Sequence, residues 1–138
     1  MRQRDLLSYA LLLALPLFGA GCVVDEQPNN APIIDSVNIE SASTPAMLEA
    51  LNGEYSVPIT ILFHDNDREA VTHVRYRMPS ANLDKTIDIA TPNPTREAAT
   101  VIITIPASAP KDTHDLTITI VDGRGKESLP LSQTITLL

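Results

Sequence analysis

Beyond residue 32 the chain is written in short runs in which apolar and polar residues alternate, broken by clusters of Pro, Gly, Asn and Asp. A period of two puts successive side chains on opposite faces of an extended backbone, so the pattern predicts antiparallel strands joined by turns. Seven runs are expected as strands: 33–40, 55–64, 71–78, 83–90, 98–105, 115–121 and 131–138. In Leu116-Thr117-Ile118-Thr119-Ile120 the apolar residues face inward while the threonines, good strand formers, face water. Val57, Ile59, Ile61 and Phe63 form a second row, and Val74, Tyr76, Ile87, Ile89, Val101, Ile103, Ile105, Ile135 and Leu137 extend it. Burying such rows takes two facing sheets, so the expected fold is an all-β, seven-stranded antiparallel sandwich.

Two segments carry more local detail. Ser43 to Gly53 has a capping Thr44, Pro45 at a first-turn position, helix formers to Leu51 and a closing glycine, which predicts a single helical turn or an irregular loop. The runs on either side of Met78 to Leu83 are expected to form a hairpin with Arg77 opposite Asp84, Arg75 opposite Thr86 and His73 opposite Asp88. That register puts Val74 opposite Ile87 on the other face, so charge pairing and apolar burial select the same alignment.

The first 32 residues follow other rules. Arg2 and Arg4 precede an apolar stretch from Leu6 to Phe18, which is too short to span a bilayer core of about 30 Å and is interrupted by Pro16. A cleaved export signal over 1–21 accounts for it. The sequence Phe18-Gly19-Ala20-Gly21-Cys22 resembles the lipobox of bacterial lipoproteins, with Gly19 where leucine is usual. The resemblance implies that Cys22 becomes the mature N-terminus and carries two or three acyl chains, enough for stable membrane attachment. An ordinary secretory signal with a bystander cysteine is the competing account. Val23 stands where an aspartate would retain a family member in the inner membrane, so the resemblance implies outer-membrane sorting if the source has one. Residues 22–32 then form a lipidated tether, and ten extended residues of it reach about 33 to 36 Å.

Composition narrows the classes of function. The one cysteine rules out an internal disulfide and a thiolate zinc cluster. A formal charge of −7, with no basic patch, argues against nucleic acid as a partner. Loss of residues 1–21 would leave 8 basic and 16 acidic side chains.

The domain at 33–138 has the strand number and length of an immunoglobulin-like or fibronectin type III-like sandwich. His114 to Lys126 resembles bacterial Ig-like modules more specifically: a penultimate strand, an Asp-x-x-Gly turn at Asp122 to Gly125, and a return strand. Where many such domains carry the tyrosine of a tyrosine corner, this chain has His114.

Candidate chemistry is sparse. Asp65, Asp67 and Glu69 offer oxygen ligands at alternate positions, which suits a hard cation such as calcium, but the spacing is not that of an EF-hand. A solvated turn rich in Asp and Asn explains the same residues. His73, Arg75 and Arg77 share a strand face and read either as a docking stripe for an acidic ligand or as hairpin partners of Asp84 and Asp88. His64, His73 and His114 fall in separate runs without metal-ligand spacing, and no nucleophile, metalloprotease or phosphate-loop motif is present. The expectation is a non-enzyme without a cofactor: an envelope lipoprotein presenting an adhesion or interaction module to a protein or surface glycan. The alternative is a structural subunit of an envelope complex that positions a partner at the membrane.

Overall fold

A computed structural model describes residues 29–89 and 92–138. Eight strands follow one another: β1 (Ile33–Ile39), β2 (Ala46–Leu48), β3 (Glu54–His64), β4 (Val71–Met78), β5 (Leu83–Asp88), β6 (Ala98–Pro106), β7 (Thr113–Asp122) and β8 (Leu131–Leu137). They form a three-stranded sheet in the order β1-β3-β6 and a five-stranded sheet in the order β2-β8-β7-β4-β5. The all-β sandwich follows from the alternation itself, since each strand carries one apolar row and the two sheets cover each other's rows.

The strand runs hold with small changes at their ends; Ala90, at the end of the fourth, lies outside the described residues. The larger correction is at 43–53. Instead of a helical turn, Ala46–Leu48 is an eighth strand that pairs with β8 in parallel, Ala46 beside Ile135 and Leu48 beside Leu137. The sandwich is therefore not wholly antiparallel. Ala46 and Leu48 are buried while Met47 is exposed, a period of two that a three-residue strand is too short to announce. A pairing partner far along the chain overrides the local helix preference of Ala, Met and Leu.

The hairpin register is as expected from the sequence. Arg77 faces Asp84, Arg75 faces Thr86, His73 faces Asp88 and Val74 faces Ile87. Its turn is a short 3-10 segment, Pro79–Ala81, closed by Asn82 in the left-handed conformation. The inward rows meet in one core in which Tyr55, Ile59, Ile61, Val74, Tyr76, Met78, Ile103, Ile105, Leu116, Ile118, Ile120 and Ile135 are almost wholly sealed from solvent. Ile87 is only half-buried because β5 is an edge strand.

Strand direction sorts the loops into two ends. One end gathers the segment before β1, the β3–β4 loop and the β7–β8 turn. The other gathers the hairpin turn at Pro79–Ala81 and the β6–β7 loop. In the β7–β8 turn, Asp122 Oδ1 accepts the amides of Arg124 and Lys126, both at 2.9 Å. Gly125 sits at φ +84°, where a side chain would be strained, so this Asp-x-x-Gly turn requires its glycine.

Candidate functional site

Cys22, the lipid-attachment residue expected from the sequence, lies outside the described residues, as do the segment 1–21 and most of the tether. Among the described residues no helix is long and apolar enough to cross a membrane.

The charged face of the five-stranded sheet is built by β4, β5 and the segment leading to β8. Arg75 grips Asp84 with two hydrogen bonds, Nε to Oδ1 at 2.8 Å and Nη2 to Oδ2 at 2.6 Å, and reaches Glu127 with Nη1 at 3.1 Å. Asp84 is diagonal to Arg75 across the hairpin; the residue directly opposite it, Arg77, comes only within 3.8 Å of Asp84 and 3.7 Å of Glu127. The bidentate Arg75 contact is thus the dominant one, and Arg77 adds ion-pair proximity without a hydrogen bond. The hydrogen bond from Arg75 holds the Asp84 carboxyl below the usual carboxylate range despite some desolvation, and Asp84 and Glu127 raise the guanidinium of Arg75 in turn. His73 Nε2 lies 3.1 Å from Asp88. The basic stripe is therefore matched by acids of this same sheet face, which favours the hairpin reading of these residues over a docking stripe.

The carboxylates of the β3–β4 loop are held mainly by the chain's own amides. Asp65 Oδ1 accepts the amide of Asp67 at 2.8 Å and, more weakly, that of Glu69 at 3.4 Å, which is the turn chemistry expected of aspartate. Asp67 receives the backbone amide and the side-chain amide of Asn30, tying the segment before β1 to this loop. Asp65, Asp67 and Glu69 do not gather as a three-carboxylate site; among the described residues no three His, Cys, Asp or Glu side chains do.

The histidines are likewise engaged separately. His64 Nδ1 is 2.9 Å from Asp35 on the neighbouring strand. His114, only 4% exposed, has Nε2 2.7 Å from the carbonyl oxygen of Pro110 and Nδ1 2.6 Å from the Ser80 hydroxyl. A carbonyl only accepts, so Nε2 carries the proton and Nδ1 accepts from Ser80. His114 thereby anchors the chain to a carbonyl four residues upstream, the kind of bond a corner tyrosine makes, and adds a tie to the hairpin turn. The sequence placed His114 at the corner; it carried no sign of Ser80, which is distant in the chain and comes near only because β4 and β7 pair.

No protein-family model matches the chain, and no curated protein matches it. Among solved structures it is similar to the PKD domain of an M14-like peptidase from Thermoplasmatales archaeon SCGC AB-540-F20. The TM-score is 0.50 at 16% identity over 80% of this chain and 98% of that one. It is also similar, at a TM-score of 0.47 and 8% identity over 80% of this chain and 96% of that one, to a Niemann-Pick type C2 protein from Japanese carpenter ant. The first supports an immunoglobulin-like sandwich. At these identities the likeness concerns the fold alone.

Proposed function

We propose that this chain is an envelope lipoprotein in which Cys22 carries the lipid, residues 22–32 form the tether, and the Ig-like sandwich at 33–138 is a non-enzymatic interaction module for a protein or a surface glycan. The observation that carries the reading is the position of the chain's one cysteine, directly after Gly19-Ala20-Gly21 at the end of an apolar, export-type segment. Asn30 is already bonded to the sandwich at Asp67, so the seven residues between the cysteine and that tie can hold the domain up to about 23 to 25 Å from the headgroups. Val23 directs the protein to an outer membrane where the source has one. The separate engagement of His64, His73 and His114 supports a module that binds rather than catalyses.

Metabolic labelling with a fatty-acid analogue tests the anchor. The wild-type protein should be labelled and sediment with membranes, and Cys22→Ser should lose both properties. Equal labelling and equal membrane retention of the variant would rule the anchor out.

A further inference from the structure

At the end of the sandwich that receives the segment before β1, three oxygen atoms are sealed from solvent and have no hydrogen-bond partner: Asn29 Oδ1, Asp65 Oδ2 and Asp122 Oδ2. They come from three different segments, and those segments are tied together. Asn30, next to Asn29, bonds Asp67 of the β3–β4 loop. That loop is joined to the β7–β8 turn by the Gly123 amide, which donates to the Ala70 carbonyl at 2.9 Å. Asp122 pairs with Val71 and continues the inward series His114, Leu116, Ile118 and Ile120, so its side chain points between the sheets toward the end that the β3–β4 loop closes.

The state of Asp122 is the second observation. It is 2% exposed, and while Oδ1 accepts two amides of its own turn, Oδ2 accepts none. A buried carboxylate oxygen without a donor is costly, and acceptors that lack donors at one place are what a cation satisfies. We propose that Asn29, Asp65 and Asp122 form a calcium site that locks the segment before β1 and the β3–β4 loop onto the β7–β8 turn. All three donors are hard oxygens, which suit calcium and disfavour zinc or copper. Two carboxylates and one amide oxygen leave positions for water and backbone carbonyls in a shell of six to eight. Asp67 and Glu69 act around the site: Asp67 holds Asn30, and Glu69 Oε2 borders Gly123, 3.9 Å from where a Cβ there would stand. Buried water is the competing occupant, since water also donates to orphaned acceptors.

The test is calorimetric titration of the chelator-stripped full-length protein in detergent with calcium alone, paired with thermal unfolding with and without about 1 mM calcium. Binding of about one ion per chain and a raised melting temperature are expected. Asp65→Asn and Asp122→Asn keep the oxygen that accepts the turn amides while removing the charge, and each should weaken binding by about tenfold or more. Asn29→Ala lies outside both sheets and leaves the core untouched, so it reports on the site even if the other two variants misfold; it too should weaken binding. Asp84→Asn, on the distant hairpin, should bind as the wild type does. Absence of calcium binding, meaning water alone fills the site, or wild-type affinity in the Asn29→Ala variant, or in both Asp variants where they fold, would overturn the proposal.

Discussion

The Tyr76 hydroxyl donates to the Thr104 carbonyl at 2.9 Å and lies 3.3 Å from the Thr104 amide, which donates to it. Tyr76 belongs to the five-stranded sheet and Thr104 to β6, the edge of the other among the described residues, so one buried side chain meets backbone groups of β6 that no described strand pairs at that position. Tyr76→Phe keeps the ring in the core and removes only this contact. It should destabilise the domain by about 1 to 2 kcal/mol in urea unfolding, because both backbone groups of Thr104 lose a partner at once. An unchanged midpoint would mean that water replaces the hydroxyl without cost.

Ile61 and Ile118 come from opposite sheets and are both fully buried. Truncation of either to alanine should cost about 2 to 5 kcal/mol, the transfer term plus the cavity left behind. A loss below about 1 kcal/mol at both sites would place them outside the load shared by the core.

The Arg75–Asp84 contact predicts a pH dependence of definite sign. Because the folded-state pKa of Asp84 lies below the usual value, its contribution is present at neutral pH and is lost as pH falls through that depressed value. The stability gap between wild type and Asp84→Asn should thus narrow in acid and vanish below the folded-state value; a gap that widens in acid would contradict the assignment. Both groups are solvent-accessible, so salt should narrow the gap as well.

His114→Ala should destabilise the domain more than Ser80→Ala. The histidine is buried and holds the Pro110 carbonyl, whereas Ser80 is exposed and can turn to water. Losses of about 1 to 3 kcal/mol are expected for His114→Ala and under about 1 kcal/mol for Ser80→Ala. Equal losses would shift the anchoring role to the serine contact.

What was legible in the sequence follows from how many constraints agreed. At the β4–β5 hairpin, alternating charges and alternating apolar residues demanded the same register, and a slip by one residue would have violated both. At Ala46–Leu48 three residues carried too little pattern, and their strand identity comes from β8, far along the chain. The charge ladder is not a set of directly opposed pairs. Arg75 takes Asp84 diagonally because a long guanidinium reaches the i, j±2 position, and Glu127 arrives from a segment whose place depends on the β7–β8 turn. Asp122 is legible in the sequence only as the start of an Asp-x-x-Gly turn, and neither it nor Asn29 lies in an acidic run; only the fold brings their segments to the same end as Asp65.

The central place of β8 bears on how the chain acquires its shape. It lies between β2 and β7, and just beyond it the Tyr55 hydroxyl donates to the Leu138 carbonyl, 83 positions away along the chain. A polypeptide emerging N-terminus first can make the β4–β5 hairpin early, but β2 stays without its partner until residue 137 has appeared. Closure therefore waits for β8, so the strands before it cannot settle into a finished domain until residues 131–137 have emerged.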